Sequence, residues 1–446
     1  MYIKLIQPQT RRRPMDTDIK LHMAPPLGLL TIAAMLRDEH HIVIENENIE
    51  SICFDDKPDL VGLTVTVDTL PRAVQIARQF RKRGIPVVAG GIHITTATRF
   101  LPKDAFDVLC IGAAEGTWHD IVKDAAAGTL KPVYRCSSSF SGADIVSPAY
   151  DMIDCKKYLY TNIVHTSRGC PFRCDFCYNS SKNHQFVNRP IPDVIADIRK
   201  IKSRHIMFID DNFAGNPQWT KQFLRAIMPM KLIWQAAVSI NAAKDAELLD
   251  LMKQSGCHSL FIGFESINPS SVKDVHKVQN STQEYEQAIQ AIHSRGIMIN
   301  GSFVFGLDGD TPETFSATVE WIVRNKIETV TSHILTPYPG TALYDRMLAE
   351  NRITSHDLSR YNTANVVFQP IHMTAEELYR GYLGVYREVY SLKNIIRRLP
   401  DAKEQRMAYL MFNLFYRKFG KLTDRLCKMI SYQRIGIWAE KLSQYI

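Results

Sequence analysis

The 446-residue chain has no run of about 18 or more uncharged apolar residues, so no segment has the length that a bilayer-spanning helix needs. Cysteine is scarce, nine in all, too few and too scattered for a disulfide framework. The first residues do not read as a secretory leader. A short apolar run precedes Arg11, Arg12 and Arg13, the reverse of the charge-then-apolar order of an export signal. A reducing, cytoplasmic setting is expected, and any membrane contact would be peripheral, at the inner membrane surface. Most of the chain also lacks a charge bias. Residues 391–446 hold twelve Lys and Arg against four Asp and Glu, which accounts for the whole net charge of +8. A nucleic-acid enzyme would more often spread a basic stripe around its active site, so no nucleic-acid partner is expected. No repeat of solenoid period is present.

What is there is a large apolar fraction, 45%, with 22% charged residues, enough to build two or three domains around real cores. Strand-like patterns at 2–6, 42–45, 60–65, 86–89 and 108–111 alternate with helical patterns at 28–37 and 70–83 and near Thr98. This predicts an α/β, doubly wound (Rossmann-like) domain over 1–135, with ligands at the carboxyl ends of its strands. Residues 136–160 have linker composition at their start. A second βα series has strands at 206–209, 233–238, 260–263, 297–304 and 329–334 after a first one near Val164. It predicts a partial (β/α)6 barrel over 161–345. Residues 346–446 read as mostly helical.

Cys170, Cys174 and Cys177 form a C-x3-C-x2-C run just after the first strand of the second series. Three soft thiolates on one short loop can ligate three irons of a 4Fe-4S cluster and leave the fourth open. A zinc site would need a fourth ligand, for which His165 and His184 are the nearest histidines in sequence.

With the open iron, Phe176 just before the last cysteine and the partial barrel, residues 160–345 resemble the radical S-adenosylmethionine (SAM) enzymes. The resemblance implies that the open iron chelates SAM and that one electron cleaves it to methionine and a 5′-deoxyadenosyl radical. It also implies an oxygen-sensitive enzyme served by a one-electron reductant such as flavodoxin or ferredoxin. Phe176, Asp211, Ser239, Asn241, Glu265 and Gly306 fall where such a barrel would meet SAM, Glu265 within a Gly-Phe-Glu-Ser segment. For Asp211, Ser239 and Asn241, helix capping after a strand is the alternative role.

The domain ahead of the barrel looks like the cobalamin-binding domain of the B12-dependent radical SAM branch. Pro25-Pro26-Leu27-Gly28-Leu29 and the segments around Gly90, Gly91, His93, Gly112, Glu115 and Gly116 carry the likeness, with Thr64, Thr66 and Asp68 at a strand end. The D-x-H-x-x-G motif of mutase-type domains is absent, and Ala113-Ala114 stands where many relatives have Gly-Glu. His93 is open to two roles, cobalamin contact or a satisfied loop histidine, and the domain itself could keep the fold without the cofactor.

The resemblance implies a cobalamin-dependent radical SAM C-methyltransferase working at an unactivated carbon of a hydrophobic or lipid-like small molecule, through a 5′-deoxyadenosyl radical and methylcobalamin. A cyclising, rearranging or carbon-coupling enzyme on the same scaffold is the rival within enzymes, and a noncatalytic cofactor-dependent sensor the rival outside them. A transfer-RNA methylthiotransferase would want further clustered cysteines, whereas Cys53, Cys110 and Cys136 are spread apart.

Between 406 and 430, Ala408, Met411, Phe412, Phe415, Phe419, Leu422, Leu426, Met429 and Ile430 recur at helical spacing, with Arg417, Lys418, Lys421, Arg425 and Lys428 opposite. Two readings fit: a basic amphipathic helix at a membrane interface, or an ordinary helix packing its stripe on the barrel.

Overall fold

In the computed structural model, which describes residues 1–137, 139–180, 185–277 and 279–444, two parallel six-stranded sheets carry the molecule. The first joins β1 (Tyr2–Gln7), β2 (His41–Asn46), β3 (Leu60–Thr64), β4 (Val87–Gly90), β5 (Val108–Ile111) and β6 (Val133–Arg135) in the order β2-β1-β3-β4-β5-β6. Its central strands are short apolar runs because both faces are covered. Leu60 and Val88 pack with helices Leu27–Leu36 and Trp118–Ala126 on one side, while Val61 and Val87 pack with helix Leu70–Arg81 on the other. The strand order reverses between β1 and β3, which opens a crevice at their carboxyl ends.

The second sheet is a partial barrel. It runs β14-β13-β12-β11-β10-β7, with β7 (Ile163–Val164), β10 (His205–Phe208), β11 (Ile233–Val238), β12 (Cys257–Glu265), β13 (Met298–Phe305) and β14 (Thr329–Ile334) all parallel. Phe208, Phe213, Phe223 and Trp234 stack in its core. An open barrel leaves an edge of unpaired backbone at β14, and helix Ala375–Val389 with the residue that follows it covers that edge. Tyr386 and Tyr390, one helical turn apart, turn their hydroxyls to the N–H and C=O groups of Ser332 and Val330.

The expected strands of both series are present. Two features escaped the sequence reading: β6, and the antiparallel pair β8 (Ser167–Arg168) and β9 (Val187–Asn188) at the root of the cysteine loop. Within the expected linker, residues 142–160 form a strap with 3₁₀ turns. Tyr150 donates to Ile163 O, and buried Tyr158 accepts from Asn46.

The tail differs from one continuous amphipathic helix. It consists of helix Arg406–Leu410, a π-helical stretch Met411–Lys418, helix Gly420–Ile430 and helix Tyr432–Gln444. Arg417, expected on a polar outer side, instead lies over the rings of Tyr386, Tyr390, Phe412 and Tyr416, because the wider π turn rotates it inward. Lys428 pairs with Asp18 of the first domain.

Candidate functional site

The cysteine loop is fixed at its root. The buried carboxylate of Asp210, at the end of β10, accepts from the backbone N–H of Thr166 and Ser167 and from the Ser167 hydroxyl. Burial still pushes its pKa up, to about 6. Gly169 then turns with φ of +81°, a region that glycine enters without strain, and releases the loop that carries Cys170, Cys174 and Cys177. Asn212 Nδ2 lies 3.9 Å from Cys170 Sγ, and Gln279 Nε2 lies 3.5 Å from Cys174 Sγ. Burial raises the pKa of all three thiols, that of Cys177 to about 12. Three thiolates in such a place need a cationic centre to stabilise them, and the amide donors on sulfur are among the levers that tune a cluster. Among the described residues no three His, Cys, Asp or Glu side chains converge on one point fit for a single ion. Three thiolates on one short loop are a donor set that suits a cluster with three ligated irons. His165 lines a different cavity, and His184 lies outside the described residues.

Around the mouth of the barrel, β12 ends in a bulge at Gly263 to Glu265, and Glu265 has a left-handed φ of +63°. A non-glycine residue held there is strained, and such strain is typical of functional sites. Its carboxylate is paired with Lys277, whose ammonium also donates to Gly263 O at 2.9 Å. Both side chains are nearly buried. Ser239 and Asn212 hydrogen-bond each other across adjacent strand ends. Asp211 is exposed, while its neighbours Asp210 and Asn212 are buried. Phe176 packs against the barrel core. Gly306 starts a turn held by Asp310, and a Cβ there would meet Leu378 Cδ2 at 2.7 Å, so this glycine allows the C-terminal helix to approach closely. The carbonyl of the Gln279 side chain and that of Asn280 are buried without a partner, which fits a polar co-substrate.

In the first domain, a cavity of about 230 Å³ opens at the carboxyl ends of β3, β4 and β5. Thr64, Gly90, Gly91, Gly112 and Glu115 line it together with Gly28, Gly62 and Trp118. A Cβ on Gly28 would meet nothing within 4 Å, so this glycine leaves one wall open. Trp118 is 2% exposed and its indole N–H has no partner. A buried donor without a partner among the described residues, on a wall rich in glycine, fits a ligand that brings acceptors, as cobalamin does. Thr66, Asp68, His93 and Gly116 are not part of this wall. Thr66 and Asp68 bond each other and Gly116 packs on Cys136. His93 is fully buried with Nδ1 3.4 Å from the Tyr178 hydroxyl, and burial lowers its pKa to about 4.

The two sites share one interface. His165 and Arg168 of the barrel line the first-domain cavity, and Arg168 grips Glu115 with its Nη1 2.9 Å and its Nη2 2.5 Å from the carboxylate oxygens. Tyr178, next to Cys177, stacks on Tyr338 with ring centroids 4.6 Å apart and touches His93. Lys277, Gln279, Trp118, Gly62 and Arg168 escaped the sequence reading as site residues, and His165, considered there only as a zinc ligand, instead lines the first-domain cavity. Only the glycine had a signal, a gap in an apolar strand.

A model of the Radical SAM superfamily matches residues 164–322, one of the B12 binding domain matches 22–122, and one of a domain of unknown function (DUF4070) matches 341–414. The bacteriochlorophyllide d C-12(1)-methyltransferase of Chlorobaculum tepidum is 27% identical over 95% of this chain and 94% of its own length. The hopanoid C-2 methylase of Rhodopseudomonas palustris is 27% identical over 97% of this chain and 90% of its own. In fold, the chain is similar to the radical SAM methyltransferase TsrM from Kitasatospora setae with cobalamin and a [4Fe-4S] cluster bound, with a TM-score of 0.60 at 17% identity over 87% of this chain and 85% of that one. A radical SAM domain works with a 4Fe-4S cluster and SAM, and a B12-binding domain takes cobalamin. The chain belongs to the radical SAM enzymes that carry a B12-binding domain.

Proposed function

We propose that this enzyme is a cobalamin-dependent C-methyltransferase that modifies an unactivated carbon of a hydrophobic, lipid-like small molecule. The observation that carries the reading is the near-full-length similarity to two methyltransferases named for lipophilic acceptors, a bacteriochlorophyllide and a hopanoid. When bound, the reduced cluster supplies the electron that cleaves SAM, and cobalamin supplies the methyl carrier.

The chain's own residues hold and shield these groups. Cys170, Cys174 and Cys177 would be the cluster ligands, with Asn212 and Gln279 donating to sulfur. Asp211, Ser239, Asn241 and Glu265, with Lys277 as the partner that aims the Glu265 carboxylate, would bind the polar head and ribose of SAM at the strand ends. Thr64, Gly90, Gly91, Gly112 and Glu115, with Trp118, would hold cobalamin. Arg168, paired with Glu115, and Tyr178, beside His93, would join the two domains between these sites.

An electron donor such as flavodoxin or ferredoxin completes the set of partners, in a reducing, oxygen-poor cytoplasm. Among the described residues no helix is long and apolar enough to cross a membrane, so access to a lipophilic substrate would be from a bilayer surface.

The test is anaerobic turnover with methyl-labelled SAM and lipophilic acceptors of the bacteriochlorophyllide and hopanoid types. Label in the acceptor supports the reading. Acceptor consumed with deoxyadenosine formed and no label incorporated means cyclisation or rearrangement instead.

A further inference from the structure

Among the described residues, the tail leaves an apolar face without a partner. Seven of the fourteen large hydrophobic side chains exposed among the described residues fall between Phe415 and Trp438. On helix Gly420–Ile430, Leu422, Leu426 and Met429 share one side, and Met429 is 83% exposed. Phe419, just ahead of that helix, is exposed as well and lies with Leu422 at the rim of the cavity beside it. Isolated exposed hydrophobics are ordinary, but a clustered run of this kind marks an interaction surface.

Beside this face lies a cavity of about 710 Å³ between residues 14–20, helix Ala375–Val389 and the tail. Lys20, Arg387, Arg417, Lys418, Lys421 and Arg425 line it, against Asp16 as the one carboxylate among the described lining residues, and Asp16 is taken by Lys20. Phe419 and Leu422 belong both to the cavity rim and to the apolar face, so the two features are continuous.

Each simpler occupant wastes half of this surface. A soluble anion would use the cations and leave Leu426 and Met429 in water. A second copy of the chain would cover the apolar residues but set each cationic cavity near its like, which repels. An anionic bilayer uses both: apolar side chains enter the acyl boundary and the cations meet lipid phosphates.

We propose that this face docks on an anionic phospholipid bilayer, with Phe419, Leu422, Leu426 and Met429 entering the interface and a lipid phosphate in the cavity lined by Lys421 and Arg425. The inference rests on the peripheral access proposed for a lipophilic substrate. Its assay needs no turnover, so it stands or falls apart from the reaction.

Full-length protein is floated with vesicles of phosphatidylcholine, alone or with phosphatidylglycerol. Two double variants, Leu422→Ser with Met429→Ser and Lys421→Glu with Arg425→Glu, are compared after their melting temperature and iron content have been checked. The expected result is binding that needs phosphatidylglycerol and weakens with salt, and that falls roughly tenfold or more in each double variant. Three results would overturn the proposal: equal flotation of wild type and variants, protection from melting by inorganic phosphate with no vesicle binding, or a dimer dispersed by the Leu422 and Met429 changes with no vesicle binding.

Discussion

Lys277 and Glu265 show how much depends on single residues buried as pairs. Lys277→Met leaves the Glu265 carboxylate with no counter-charge in a nearly closed site, a change that costs about 3 kcal/mol or more for buried pairs. Urea unfolding of the reconstituted enzyme is expected to show that loss, and Glu265→Gln a comparable one because it leaves the Lys277 ammonium without its counter-charge. The cysteines give the complementary result. Cys174→Ala removes one cluster ligand while Gln279 and the loop remain, so bound iron and SAM cleavage are expected to be lost with secondary structure intact by circular dichroism. His93 is buried and His165, His258 and His333 are half-buried, and desolvation lowers their pKa to about 4, 3, 4 and 3 respectively from an ordinary 6.5. Their stabilising contribution is full above pH 6.5 and is lost as pH falls towards 4, at ~1.4 kcal/mol per pH unit for each. Asp210 and Asp310, raised by burial to about 6, act in the opposite sense between pH 6 and 4, but they are two against four. The melting temperature of the apoprotein is therefore expected to fall between pH 7 and pH 5, and a flat or rising profile would contradict these burials.

At the scale of elements, the strands that position the sites were legible because parallel strands buried on both faces read as apolar runs between helical periods. β11 and β14 match the expected 233–238 and 329–334 at both ends. What was illegible has physical reasons. β8 and β9 have two residues each, too few to show any period, and β8 is held at its Ser167 N–H by Asp210, some forty residues away. Helical wheel reasoning assumes 3.6 residues per turn, and the π-helical turn at Met411–Lys418 breaks that assumption and carries Arg417 inward. The three cysteines were legible from spacing alone, whereas Lys277 and Gln279 reach the site only through the packing of a loop. The covering of β14 is testable in the same terms. Tyr390→Phe strands the N–H and C=O of Val330 at a buried edge, which is expected to cost about 1–3 kcal/mol in thermal or urea unfolding.

Over the whole molecule, the barrel and the B12-binding domain are expected to act as one unit because the walls of each site include the other domain. Gly340 has φ of +94°, and a Cβ there would run into the backbone carbonyl of Thr96 in the first domain. Gly340→Ala is expected to push the domains apart, weakening cobalamin retention on gel filtration while the cysteine loop still takes up iron. The most direct test of the account is a single anaerobic measurement on protein reconstituted with iron, sulfide and cobalamin. It counts iron and cobalt per chain and then measures 5′-deoxyadenosine formed from SAM on reduction. The account predicts about four irons, about one cobalt, and deoxyadenosine that disappears in Cys174→Ala. A chain that takes up neither cluster nor cobalamin, or binds both and leaves SAM intact after reduction, would contradict it.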